Sequence, residues 1–325
     1  MRQLHSDLRE RLTETLTPVF GQIPSFISDS PAIVEWLKSI DCPAFEFREA
    51  SNISSKYTKN VLVIAVNTSR IPPYKEWQTL FRNSRVLIIP LISFDPSMDA
   101  AVYTVELLAR STFEAAAIAN ERWLKLLMGC KQPLIFSGKG CDLVCEVEED
   151  VYVMRPKTEA QLSPGEWDSI GSYFEVGMVP QPEDIRPAFI VNGILSVPGV
   201  AVAHHRQMRD DLLPLAMRAW ELFQRLRDQN LFPLLVRIEN SRVVHVFAGE
   251  KDIAGELEDL TNRKRESVLT EMAFSTNEGM IPENIDWTKN AQLNEGALGI
   301  HVGIGDGLTG AHIDLICPEV KLKNQ

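Results

Sequence analysis

Five side chains near the C-terminal end of the chain are of types that ligate divalent metal ions: Glu271, Glu295, His301, His312 and Asp314. His312 and Asp314 lie in Ala311-His312-Ile313-Asp314-Leu315-Ile316-Cys317, whose alternation reads as a strand. On a strand, positions i and i+2 point to one face, so this imidazole and carboxylate project side by side. His301 sits in a second alternating segment, residues 299–307, that runs into a glycine-rich turn, and adjacent strands joined by a short loop can bring it to the pair. Glu271 and Glu295 extend the set to three carboxylates and two imidazoles. These are suitable donors for Zn, Mn or Co, enough for one ion or for two that share a carboxylate. Two such ions activate a water and polarise a carbonyl. A nearby carboxylate shuttles the proton to a leaving amine, and Glu271 and Glu295 are the candidates for that catalytic work. Spacing alone leaves a second reading open, a glycine-rich hairpin with two incidental histidines.

The elements that must position these residues point to an α/β fold. Residues 61–66 and 85–93 are unbroken aliphatic runs, suited to strands buried on both faces of a parallel sheet. Helical patterns cover 4–18, 31–39, 74–82 and one long Ala- and Leu-rich stretch over 98–128, started by Asp95-Pro96-Ser97 and ended near Gly129. Alternation of strand and helix implies a βαβ layered N-terminal domain, 1–129. From 130 to 325 the texture is a β-rich α+β domain carrying the metal-site motifs. Its strands are expected at 133–136, 143–155, 173–179 and 187–202, with Asn192-Gly193 as a hairpin turn. A helix at 206–229 kinked near Pro214, a hairpin of 234–238 with 243–247, and an acidic helix at 252–264 follow.

Composition narrows the partners. A length of 325 residues favours two domains and a cleft between them, and 45% apolar with 24% charged residues is the profile of an ordinary globular protein. The formal charge of −11 disfavours nucleic acid, which needs clustered Lys and Arg; Arg263-Lys264-Arg265 reads as a solvated helix end. No stretch approaches the roughly 20 apolar residues of a membrane helix, and the N-terminus has no signal-peptide core, so no membrane partner and a cytoplasmic location are expected. Five scattered cysteines fit reduced thiols, and Cys141-x-x-x-Cys145 reads as packing, since no second thiol pair completes a metal set.

Four ordered segments, Glu271-Met-Ala-Phe-Ser-Thr-Asn277, Leu293-Asn-Glu295-Gly-Ala-Leu-Gly299, His301-Val-Gly-Ile-Gly-Asp-Gly307 and His312-Ile-Asp314, resemble the successive metal-region motifs of the aminopeptidase T family, the thermophilic or leucyl-aminopeptidase-like metallopeptidases. The likeness continues back through Gly138-Lys-Gly-Cys-Asp142-Leu143, Ser163-Pro-Gly-Glu-Trp167, Phe174-Glu-Val-Gly177 and Phe189-Ile-Val-Asn-Gly193, covers about 130–325 and fades in the N-terminal third. It implies that Glu271, Glu295, His301, His312 and Asp314 correspond to the ligands of a two-metal site, that a peptide is the substrate or ligand, and that the chain forms a homodimer. Family aminopeptidases add a tyrosine ligand between the two histidines, whereas residues 302–311 contain none.

Three functions follow from these residues and this resemblance. The first is hydrolysis of an N-terminal peptide or amide bond. The second is non-hydrolytic peptide binding or peptide tailoring in ribosomal peptide natural-product biosynthesis, with the metal site adapted or its ion lost, a use to which relatives of this fold have been put and which the absent tyrosine favours. The third is ring cleavage by a mononuclear non-haem iron dioxygenase, because His301, His312 and Asp314 supply two imidazoles and one carboxylate and the dihydroxypyridine dioxygenases resemble this family. Glu271 argues against the third, since a further anionic donor occupies positions that O2 needs. Glu175, Asn277, His245 and Asp306 are expected near the cleft.

Overall fold

The computed structural model describes residues 2–52, 55–67, 74–181, 184, 186–261 and 266–323. The basic cluster Arg263-Lys264-Arg265 lies outside them. In chain order the strands are β1 (Ser25–Ser28), β2 (Ala44–Glu46), β3 (Asn60–Ile64), β4 (Arg85–Ile89), β5 (Leu134–Gly138), β6 (Cys141–Val147), β7 (Tyr152–Val153), β8 (Trp167–Ser169), β9 (Glu175–Val179), β10 (Phe189–Val197), β11 (Gly199–Ala203), β12 (Leu234–Glu239), β13 (Arg242–Ala248), β14 (Lys251–Asp252), β15 (Leu269–Ser275), β16 (Gly299–Ile304), β17 (His312–Pro318) and β18 (Lys321–Leu322).

They form three sheets within a mixed α/β fold. A parallel sheet of order β2-β1-β3-β4-β8 is flanked by helices Arg2–Phe20, Pro31–Ser39 and Tyr74–Leu80. The aliphatic runs at 61–66 and 85–93 form its central strands, every residue of β3 being buried. Its outermost strand, Trp167–Ser169, comes from beyond residue 130, so the chain returns to the first sheet after entering the β-rich region. An antiparallel sheet of order β14-β13-β12-β10-β6-β5-β18 packs its apolar face on a six-stranded sheet of order β11-β17-β16-β15-β9-β7. The six-stranded sheet is covered on both sides: β15 is buried at all seven positions, and Ala201 and Ile316 from its second face join the core beneath the N-terminal helices.

Three local expectations need correction. The helical pattern of 98–128 is two helices, Met98–Leu108 and Phe113–Met128. The amide of Asn277 separates them: its Oδ1 accepts from the Thr112 N–H at 3.1 Å and its Nδ2 donates to Ser111 Oγ at 2.9 Å, while Arg110 and Ser111 tighten into i→i−3 bonds. A distant side chain thus satisfies groups that would otherwise continue the helix. Asn192-Gly193 is not a turn but the middle of β10, hydrogen-bonded to strands on both sides. Gly193 has φ +137° and a Cβ there would lie 2.1 Å from the Asp142 carbonyl oxygen, so glycine serves close backbone approach. Asn192 Oδ1 accepts from the Asn240 N–H at 2.8 Å and so supports the hairpin turn between β12 and β13, which forms as the sequence indicates. Pro214 does not kink a helix; it stands in the first turn of Leu213–Asp228, where its missing N–H has no partner to lose.

Among the described residues no helix is long and apolar enough to cross a membrane. Cys141 and Cys145 are buried packing residues on one face of β6.

Candidate metal centre

The strand register of the six-stranded sheet gathers four of the five expected side chains. Glu271 pairs with Gly303, Gly303 with Asp314 and Asp314 with Ala201, which makes one row across four strands. In the neighbouring row Gly177 pairs with Ala273, Ala273 with His301 and His301 with Ile316. His312 pairs with Ala203 and Glu175 with Ser275, on the same face. The opposite face, with Met272, Phe274, Val302 and Leu315, is packed in the apolar core. One face is therefore locked by hydrophobic burial, and period-2 alternation holds the donors on the other.

Small residues make room between them. A Cβ on Gly303 would lie 2.8 Å from His312 Cε1 and 3.0 Å from both Asp314 Oδ1 and Glu271 Cβ, and one on Gly177 would lie 2.6 Å from Glu271 Oε1. Glycine at these two positions lets the carboxylates and imidazoles converge over the backbone.

The result is two overlapping sets of donors. Glu271, His312 and Asp314 form one, and Glu175, Glu271 and His301 the other; within each, one ligand atom per residue lies within 4.8 Å of the rest. Glu271 belongs to both. His312 Nε2 is 3.0 Å from Asp314 Oδ1 and 3.4 Å from Glu271 Oε2, and His301 Nε2 is 3.7 Å from Glu175 Oε2 and 4.0 Å from Asp314 Oδ1. His312 Nδ1 faces the Gly305 carbonyl oxygen at 2.8 Å, an outer contact that turns Nε2 toward the carboxylates. Glu295, the fifth expected residue, is in neither set. It follows the short 3-10 turn Gln292–Asn294, and its carboxyl reaches Asp314. Glu175 was foreseen as a residue of the cleft and not as a donor. It lies in the Phe174-Glu-Val-Gly177 segment, well before the four metal-region segments, and the register with Ser275 brings it into the cluster.

The electrostatics are those of a site built for positive charge. Glu175, Glu271, Glu295 and Asp314 stand together, and among the described residues no Lys or Arg pairs with any of them. Glu271 Oε1 and His301 Nδ1 are buried without a hydrogen bond among the described residues, whereas Asp314 Oδ1 is faced by His312 Nε2. Buried polar atoms of native proteins are almost always satisfied, and exceptions mark missing ions or functional strain. Burial, then the neighbouring carboxylates Glu271 and Asp314, holds the Glu175 carboxyl well above its ordinary value; burial and then Asp314 and Glu175 do the same for Glu295. Burial alone would lower His312, but the adjacent Asp314 and Glu271 outweigh it and hold the imidazole well above its ordinary value. Burial pushes Asp314 up, and the His312 imidazole beside it outweighs that and holds the carboxyl below its usual range. Carboxylates crowded together in this way favour a positive charge among them, whether a proton or a cation. The donor types and the unpartnered atoms fit a divalent ion.

A cavity of about 240 Å³, walled by Pro180, Gln181, Asp184 and Asp306, opens onto Glu271 and His312. His312, 20% exposed, lines it, while His301, 1% exposed, is buried and does not. His245 is remote from the cluster and pairs with Asp252 at 2.7 Å, and Asn277 is committed to Ser111 and Thr112.

In comparisons with known proteins, the chain is similar in structure to wild-type AmpT from Thermus thermophilus, at 13% identity and a TM-score of 0.48, over 96% of this chain and 92% of that one. It is similar also to the 2,5-dihydroxypyridine dioxygenase of Pseudomonas putida KT2440, at 13% identity and a TM-score of 0.44, over 100% of this chain and 95% of that one. At these values neither likeness bears on the chemistry. No curated protein sequence matches. The family model of the crocagin biosynthetic protein CgnE/B matches residues 21–325.

Proposed function

The chain belongs to the crocagin biosynthetic protein CgnE/B family, and from that premise we propose that it acts in the biosynthesis of a natural product of this type as a divalent-metal protein that hydrolyses an amide bond of a peptide. The observation that carries the reading is the pair of donor sets joined through Glu271, buried and left with unpartnered ligand atoms. Peptide as the substrate class rests on the resemblance of the Glu271, Glu295, His301 and His312-x-Asp314 segments to the aminopeptidase T motifs.

Glu271, His312 and Asp314 would hold one ion and Glu175, Glu271 and His301 a second, drawn from Zn, Mn or Co. Ions bound there supply Lewis acidity toward a carbonyl and acidify a water. The chain's own residues do the rest. The Gly305 carbonyl keeps His312 Nε2 turned inward. Glu295, outside both donor sets and against Asp314, is the carboxylate that would take a proton from the attacking water and pass it to the departing amine, the role for which Glu271, engaged twice as a donor, is less free. The cavity over Glu271 and His312 admits the peptide. Glu175 supplies a further anionic donor from a neighbouring strand.

A second reading, peptide binding or tailoring without hydrolysis, is favoured by the biosynthetic family and by that missing tyrosine. The two are separated by incubating metal-loaded protein with aminoacyl-p-nitroanilides and short peptides and following products by mass spectrometry. Metal-dependent cleavage that disappears in Glu271→Gln supports hydrolysis. Tight peptide binding with no cleavage at full metal occupancy sinks it in favour of the second reading.

A further inference from the structure

Beside the cluster lies a second and larger cavity, of about 510 Å³, between the loop after β4 and the helix Leu213–Asp228. Its position is fixed by β11. Ala203 is the register partner of His312; the next residue, His204, donates its N–H to the Ser93 carbonyl, and His205 donates to the Gly307 carbonyl. Val202, His204 and His205 all line the cavity, one or two positions along the chain from Ala203, the strand neighbour of His312. The His205 N–H bond to the Gly307 carbonyl ties the lining of this cavity to the glycine-rich turn that precedes His312.

Phe94, Met208, Leu213, Ala216, Met217 and Trp220 give it apolar walls, and its volume is that of a pocket for a large side chain with room for part of the next. The rim is acidic: Asp95, Asp210 and Glu221 stand against the single guanidinium of Arg206. Asp210 and Glu221 are exposed and make no hydrogen bond or ion pair among the described residues. Asn290, also in the wall, spends both amide atoms on the Val202 backbone and recognises nothing.

We propose that this cavity is the specificity pocket of the protein and takes a large apolar side chain, phenylalanine or bigger, next to a lysine or arginine of a peptide. The inference rests on the reading of the chain as a peptide-acting protein, and it deepens that reading by naming the segment selected. The apolar walls bury the side chain, and the two unpaired rim carboxylates receive the basic neighbour.

The test uses the full chain and N-acetylated, C-amidated tetrapeptides Ala-Phe-Lys-Ala, Ala-Ser-Lys-Ala and Ala-Phe-Glu-Ala in titration calorimetry at low ionic strength, with and without added Zn. Blocking the amino terminus makes the lysine the only cation. The Phe-Lys peptide is expected to bind at least about tenfold tighter than the Ser-Lys peptide, from burial of the ring, and about five- to tenfold tighter than the Phe-Glu peptide, from the rim charges. Ala216→Trp, which fills the cavity, is expected to abolish the Phe preference. The double variant D210K/E221K changes only exposed rim groups and is expected to reverse the Lys-over-Glu preference with metal content unaltered. Equal binding of the three peptides by the wild type overturns the proposal, as does survival of both preferences in the two variants. Retained preferences, together with no cleavage of the free-amine peptide Ala-Phe-Lys-Ala by metal-loaded protein in mass spectrometry, sink the hydrolytic reading and leave this pocket standing.

Discussion

Gly303→Ala is the smallest change that loads the centre directly. The added Cβ would stand 2.8 Å from His312 Cε1 and 3.0 Å from both Asp314 Oδ1 and Glu271 Cβ, so it pushes on all three members of one donor set at once. Comfortable carbon contacts are about 3.5–4.0 Å, which makes each overlap on the order of half an ångström. Gly303 is not in the left-handed region, so the backbone adds no strain of its own. Overpacking of this kind costs about 1–3 kcal/mol. Where the strain appears only when the donors converge, it is read as metal affinity, roughly 5- to 150-fold weaker at about 1.4 kcal/mol per tenfold. The assay is competition against a fluorescent chelator with Zn and with Mn, beside the thermal midpoint of the metal-free protein. Gly255→Ala is the control: nothing lies within 4 Å of its Cβ, in the helix Ala254–Thr261, and it is expected to leave metal affinity unchanged while gaining about 0.5–1 kcal/mol of stability. A Gly303→Ala protein that binds metal as tightly as the wild type, with the same midpoint, would refute the convergence of Glu271, His312 and Asp314.

Three further outcomes are expected. Glu175 and Glu295 have raised folded values and so does His312, hence each contributes stability that is full below its unfolded value and is lost as pH rises through the folded one; the thermal midpoint of metal-free protein should fall as pH rises above the ordinary carboxylate range, less steeply in Glu295→Gln, and a rising midpoint there contradicts the burial of these groups. Adding Zn to a concentration 100-fold above its dissociation constant at neutral pH should stabilise the protein by about 2.7 kcal/mol, and the same Zn concentration should stabilise it more at higher pH because the ligands must shed protons; calorimetric scans at two pH values check this. Asn277→Ala removes the acceptor of the Thr112 and Gly279 N–H groups and should cost about 1–3 kcal/mol in urea unfolding with metal affinity unchanged, and an unaltered urea midpoint counts against its role in breaking the helix.

Much of the arrangement was legible because it rests on local periodicity. The parallel strands announced themselves as aliphatic runs, and the same-face geometry of His312 and Asp314 follows from alternation. What escaped depends on residues far apart in sequence. Glu175 joins Glu271 and His301 only through strand pairing, and the break between 108 and 113 is imposed by Asn277, more than 160 positions away. Asn192-Gly193 misled because glycine serves turns and tight strand crossings alike, and only the Asp142 carbonyl 2.1 Å from its missing Cβ tells them apart. Glu295 sits in an irregular turn with no period to read, which is why its offset from both donor sets was not foreseen.

Metal stoichiometry bears most directly on a centre in which two donor sets share one carboxylate. Purified chain stripped with chelator and titrated with Zn, Mn or Co should take up two ions per chain; Glu175→Gln should keep one tightly, and Glu271→Gln should lose both. A wild type that binds no divalent ion, or a Glu271→Gln variant that still holds two, would contradict it.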